Sequence, residues 1–202
     1  MKNWLRPTTL NGNTVDLIPL QLEHKDALLS AAENGQLWEL WYTSVPSKDT
    51  IEKYLETALD QQQRGIALPF VVVSKVDNKI IGTSRYCNVD SSNKRLEIGY
   101  TWYAKDYQRT GVNTECKYLL LKNAFENLET IAVEFKTNWH NHRSRNAILR
   151  LGAKQDGVLR SHRIDKDGCL RDTVVFSIIE SEWKIVKKAL EFQINKYKNV
   201  RT

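Results

Sequence analysis

"QRTGVNTECKYLLL", residues 108–121, is the stretch that decides how this chain folds. Gln108 and Arg109 lead into a lone glycine, Gly111, and from Cys116 the chain turns apolar through Leu119, Leu120 and Leu121. That pattern reads as a buried helix whose apolar face is wide enough to be covered on more than one side. A helix start leaves its first backbone N–H groups without partners and carries partial positive charge. The loop before it is therefore a seat for an anion such as phosphate. The plainer reading is that Gly111 makes a turn and Asn113 or Thr114 caps the helix.

Upstream lie three strand patterns. "LPFVVVSK" (68–75) and "KIIGTSRYCNV" (79–89) flank Asp77-Asn78, a hairpin signal, and "DSSNK" (90–94) turns the chain into "RLEIGYTWY" (95–103). Before them, "NTVDLIPL" (13–20) alternates as a first strand, and "LEHKDALLSAAENG" (22–35) reads as a helix closed by Gly35. "QLWELWYTSVP" (36–46) is an aromatic loop, after which Ser47 is expected to cap an amphipathic helix carrying Ile51, Tyr54, Leu55, Ala58 and Leu59.

Downstream, "TIAVEFKT" (130–137) is a buried strand by its β-branched content, and "NHRSRNAILRLG" (141–152) is a short helix stopped by Gly152. "GVLRSHRI" and "CLRDTVVFSII" form a last hairpin through Asp167-Gly168, and a terminal helix aligns Trp183, Val186, Leu190 and Tyr197. The order β-α-α-β-β-β-α-β-α-β-β with a helical tail predicts an α+β (mixed α/β) domain. Its sheet is mainly antiparallel, with one βαβ-like crossover in the middle.

The chain has 202 residues, 41% apolar and 27% charged, a composition that sustains one globular domain with a real core. No repeat or linker divides it. Three scattered cysteines argue against a disulfide framework and against structural zinc. The N-terminus lacks the apolar core of a signal peptide and no stretch is long enough to span a bilayer, so a cytoplasmic protein is expected. The net charge of +6 arises from 30 basic residues interspersed with 24 acidic ones, with no basic tract. Nucleic-acid binding is not expected on that pattern, whereas an anionic cofactor would suit the field.

Three segments, "LEIGYTWY", "QRTGVNTE" and "WHNHRSRNAILRLGA", together with the element order, resemble the GCN5-related N-acetyltransferase (GNAT) family, in its RimJ/RimL-type branch. The resemblance covers a core of about residues 14–179 within a single domain 1–202, leaving 180–202 as a C-terminal helical tail. One position departs from the family's usual loop: Asn113 stands where a glycine or alanine is common. The resemblance implies a GNAT-like sheet splayed in its middle, with acetyl-CoA as co-substrate and no metal. Backbone groups of Gln108, Arg109, Thr110, Gly111, Val112 and Asn113 would hold the pyrophosphate, and those of Thr101, Trp102 and Tyr103 would pair with the pantetheine arm as an added strand. Asn141 would hold a pantetheine amide, and Ser144, three residues on, would hydrogen-bond the sulfur. Without the family, Asn141 reads as a plain helix cap.

Glu97 is the candidate general base, a carboxylate in a covered strand whose burial would raise its pKa toward neutrality. Its alternative is a strand glutamate facing water or pairing with Arg85 across the hairpin. Trp38, Trp41 and Tyr42 are the substrate-side candidates, with Asp167 and Asp172 as extra negative charge for an ammonium. His140 and His142 lack the partners a metal needs, and Cys116 reads as an inert core thiol. The implied reaction is acetyl transfer to a primary amine, a protein N-terminus or a small molecule, by direct attack through a tetrahedral intermediate. The resemblance also admits a homodimer. The alternative from another class is an acyl-CoA-binding sensor or scaffold without turnover.

Overall fold

The computed structural model of the chain describes residues 4–165 and 167–199; residues 1–3, 166 and 200–202 of the expected domain lie outside it. The elements are β1 (Leu10–Asn11), β2 (Val15–Pro19), α1 (Lys25–Glu33), α2 (Ile51–Gln63), β3 (Leu68–Ser74), β4 (Ile80–Asp90) and β5 (Arg95–Tyr103). They continue with α3 (Val112–Lys122), β6 (Ala132–Asn138), α4 (His142–Arg150), β7 (Lys154–Ile164), β8 (Leu170–Ile179) and α5 (Glu180–Asn199). The expected order is met, with the two-residue β1 added at the edge.

One mixed sheet runs β1-β2-β3-β4-β5-β6-β8-β7. Its alternation feeds two cores. Leu68, Phe70 and Val72 of β3 point toward α3 and α5, while Val71 and Val73 point toward α1 and α2. That is why β3 carries an unbroken apolar run: both of its faces are covered. Helix α5 is part of the first core, where Trp183 stacks on Phe125 with ring centroids 5.2 Å apart and Val186 and Leu190 are buried. The side chain of Tyr197, expected on the same stripe, lies outside the described residues.

Two expected caps are corrected. Helix α2 begins at Ile51 with Thr50 at the cap position, and Ser47 contributes only its backbone carbonyl to Ile51 N at 2.9 Å. Helix α3 is capped neither by Asn113 nor by Thr114: Gly111 holds the cap position and no side chain serves it. The reason lies one residue earlier. Thr110 Oγ1 donates to Tyr107 O at 2.7 Å and accepts from Val112 N at 3.3 Å, so the turn is already tied.

The feature that makes a site is the one parallel pair among the described residues. Strands β5 and β6 are joined by the crossover helix α3, and they pair only at Arg95↔Ala132, Leu96↔Val133 and Glu97↔Glu134. Beyond Glu134, β6 follows β8 as far as Asn138↔Thr173, while β5 follows β4 as far as Tyr103↔Gly82. The sheet forks there.

Candidate active site

On one side of the fork runs β5, whose residues Ile98–Tyr103 have no strand partner toward β6 among the described residues. A bulge re-aims this edge. The β4–β5 register slips between Thr83↔Trp102 and Arg85↔Gly99, and Tyr100 takes a left-handed φ of 51° to absorb the extra residue. Thr83 Oγ1 fixes it by donating to Tyr100 O at 2.8 Å. The side chains of Trp102 and Tyr103 are buried, one in each core, so this edge offers a ligand backbone rather than aromatic faces.

A 3-10 turn at Lys105–Tyr107 carries this edge into the loop Gln108–Asn113. Gln108 Nε2 donates back to Tyr103 O at 2.8 Å, and the chain turns through Arg109 at φ 60°. The left-handed residue is thus Arg109, whereas Gly111 sits at an ordinary φ of −70°. What Gly111 contributes is a bare backbone at the helix start. Among the described residues no group accepts from the amides of Asn113 and Thr114, so the first turn of α3 presents free N–H donors.

Glu97 stands at the fork itself, 8% exposed. Its Oε2 accepts from Asn88 Nδ2 at 2.7 Å and pairs with Lys136 Nζ at 3.2 Å. Its Oε1 lies over Gly99, where an added Cβ would come within 3.2 Å of it. Lys136 also reaches Glu134 at 2.8 Å, and Glu134 pairs with Arg95. Burial works to lower the Lys136 pKa, but hydrogen bonding and charge attraction from Glu134 and Glu97 outweigh it and the value is raised. The carboxylate lies in a covered strand as expected and is also ion-paired, with a partner other than Arg85. Lys136 was missed because its link to Glu97 crosses from one strand to another.

Arg85 is not that partner. It is 2% exposed, donates to Gln61 Oε1 at 3.0 Å, and places its guanidinium 4.1 Å from the Tyr100 ring and 5.4 Å from the Tyr54 ring. It supports the bulge from the α2 side.

On the other side of the fork, Asn138 ends β6 with a buried Nδ2 that has no partner among the described residues. Asn141 is the cap of α4 and accepts from Ser144 N at 3.0 Å through Oδ1, so the plain reading of Asn141 holds. Both side chains are half-buried. Trp41, 64% exposed, meets Tyr42 edge-on at 5.4 Å and comes within 5.8 Å of the His140 ring. The aromatic loop thereby reaches the start of α4. Trp38 instead packs on the core under α1 and α2. Asp172 is tied to Ser161 N at 2.8 Å and to Arg160, and Asp167 to Cys169 N at 3.1 Å, so both carboxylates are occupied within their hairpin. Burial pushes the Cys116 thiol up to about 12, which leaves it inert. Among the described residues no group of His, Cys, Asp and Glu is placed to hold a metal, and no helix is long and apolar enough to cross a membrane.

Against known proteins, the family model described as an acetyltransferase (GNAT) domain matches residues 15–154. The Bacillus subtilis (strain 168) protein YdaF, provisionally named a ribosomal N-acetyltransferase, is 29% identical over 168 residues, covering 81% of this chain and 91% of its own. The crystal structure of a GCN5-related N-acetyltransferase from Brucella melitensis is 27% identical, covers 94% of this chain and 86% of its own, and superposes with a TM-score of 0.84. RimJ of Mycobacterium smegmatis, solved in complex with CoA-disulfide, shares the fold with a TM-score of 0.78 at 19% identity, over 93% of this chain and 95% of its own. With the family model spanning more than half of the sequence and the fold matched nearly end to end, this chain belongs to the GNAT family of acetyltransferases.

Proposed function

We propose that this acetyltransferase takes its acetyl group from acetyl-CoA and transfers it to the free amine of a protein N-terminus by direct attack. One observation carries the reading: the unpaired edge of β5 from Ile98 to Tyr103 is followed, after a single 3-10 turn at Lys105–Tyr107, by the uncapped start of α3. A row of backbone partners ending in an anion seat suits a ligand with amides along its length and a diphosphate at its end. The orphaned Asn138 Nδ2 offers the same ligand one more donor.

In this reading, the N–H groups of Arg109, Thr110, Gly111 and Asn113 hold the diphosphate, those of Gln108 and Val112 being engaged by Lys105 O and Thr110 Oγ1. Backbone N–H groups along Thr101, Trp102 and Tyr103 bind the arm and draw charge onto the thioester oxygen as it becomes a tetrahedral oxyanion. Acetyl-CoA supplies an activated acyl carbon with a good leaving group. Glu97 accepts the ammonium proton, directly or through water, and Ser144 hydrogen-bonds the departing sulfur. The free Nδ2 of Asn141 is available to a carbonyl of the arm once Oδ1 has capped α4. Trp41 and Tyr42 wall the acceptor side. A protein acceptor is favoured over a small amine by the name given to the Bacillus subtilis relative.

The test is thiol release from acetyl-CoA with a panel of peptides bearing free or blocked N-termini, beside polyamines and free amino acids. Release with free N-termini alone is expected. Release with small amines alone replaces the acceptor class, and tight acetyl-CoA binding without release for any amine makes the chain an acyl-CoA sensor.

A further inference from the structure

Lys117, in the second turn of α3, is a buried amine for which the reaction above has no use. It is 5% exposed, and its Nζ donates to Ser84 Oγ at 3.2 Å and to Thr101 Oγ1. Those two hydroxyls lie 2.8 Å apart, and Thr101 Oγ1 also donates to Gly99 O at 3.3 Å. One ammonium therefore ties helix α3 to the bulged segment of β5. The ionisable groups acting on it are the Cys116 thiol on its own helix and the Cys87 thiol on β4, each pushed up to about 12 by burial. Tyr86 on β4 and Tyr103 on β5 share that face, and burial raises both phenols as well. None of the four is an anion near neutral pH. Burying an ammonium without a counter-charge is costly, and an apolar side chain could fill the same slot without that cost.

We propose that Lys117 is a positioning residue for the anionic co-substrate, clamping the Thr101 bulge to the helix whose start seats the diphosphate and taking up a proton as that anion binds. The inference rests on the acetyl-CoA reading above. Burial draws the Lys117 pKa down to about 7, so the free protein carries this charge only in part at neutral pH. A bound polyanion favours the protonated form and raises that value. By linkage, the proton must favour the anion equally. Below the free value Lys117 is protonated with or without ligand, and affinity is flat. As pH rises through it, the free protein loses a proton that the complex keeps, and affinity falls until the complex deprotonates too.

The probe is acetyl-CoA without acceptor, titrated calorimetrically between pH 6 and 9 in buffers of differing ionisation enthalpy. The unmodified chain should take up protons near pH 7.5 and lose about threefold or more in affinity between pH 6.5 and 8.5. Lys117→Met should abolish that share of uptake and slope, leaving only the titration of the ligand itself. Should Lys117→Met fail to fold, lysine carbon-13 resonances of the unmodified chain give the Lys117 titration directly, and it should move upward with acetyl-CoA. A slope retained in Lys117→Met, or a Lys117 titration that acetyl-CoA does not move, overturns the inference while leaving the cofactor reading intact. No acetyl-CoA binding at any pH overturns the cofactor reading, and this inference with it.

Discussion

Glu97, whose rung with Glu134 is the last before the sheet forks, reaches Lys136 two residues further along β6, with Oε2 and Nζ 3.2 Å apart. Strand β5 carries the acid and β6 the base, so the ion pair closes the fork at its root while Oε1 stays over Gly99, beside the bulge. Glu97→Gln keeps the size and most hydrogen bonding of the side chain but removes its proton-accepting charge. Turnover should fall by about a hundredfold or more, with acetyl-CoA affinity little changed. Lys136→Met releases the carboxylate without deleting it and should cost less. Because the Lys136 pKa is raised above its ordinary 10.5, its pairing contributes in full below that value and is lost only as pH rises further. A pH–rate profile of Lys136→Met that matches the parent in height and shape would remove the pair from the mechanism.

The loop prediction turns on Gly111. Its φ of −70° is open to any residue, so Gly111→Val acts through its side chain and not through backbone strain. At a helix cap, replacing Gly by a β-branched apolar residue costs about 1 kcal/mol of stability. Acetyl-CoA affinity should fall well beyond that, because a Cβ now stands where backbone must approach the diphosphate. Calorimetry on the folded variant decides, and undiminished affinity would sink the phosphate seat.

Asn141 holds two jobs that a pair of variants separates. Asn141→Asp keeps the oxygen that caps α4 through Ser144 N but loses the amide donor; Asn141→Ala loses both. Both should weaken acetyl-CoA binding, while only the alanine variant should give up the cap, worth about 1 kcal/mol in thermal denaturation. Ser144→Ala should lower turnover more than affinity, since the thiolate exists only as the bond breaks. Equal losses in binding and turnover would take Ser144 off the catalytic list.

How far the sequence could be read follows from what is local. Turn residues, the hairpin at Asp77-Asn78 and the periods of helix and strand give the element order, because each signal sits within a few residues of what it specifies. The fork was implied only by family likeness: nothing local in "TIAVEFKT" says that its pairing with β5 stops at Glu134. The same limit hid the charged residues inside α3. Glu115 is buried because it binds Asn13 and Thr14, and Lys117 because it binds Ser84 and Thr101, partners distant in sequence. Arg85 was matched to the nearest acid across the hairpin, yet the bulge at Tyr100 shifts the register and sets an aromatic ring over it instead.

The acceptor side rests on separating two tryptophans that the sequence could only group. Trp38 packs on the core under α1 and α2, whereas Trp41 is 64% exposed and leans on Tyr42 and His140. An exposed tryptophan resting on a half-buried tyrosine beside the start of α4 is not explained by core packing, and aromatic faces attract an ammonium by about 0.5–2 kcal/mol per well-placed contact. Trp41→Ala should therefore raise the acceptor KM by roughly twofold to thirtyfold and leave the acetyl-CoA KM and Tm almost unmoved. Trp38→Ala should do the reverse, lowering Tm through the cavity it opens and disturbing both substrates together. Measuring Tm beside the two Michaelis constants for each variant tells them apart. If Trp41→Ala lowers stability without a selective change in acceptor KM, Trp41 is a packing residue and the acceptor must be held elsewhere along the fork.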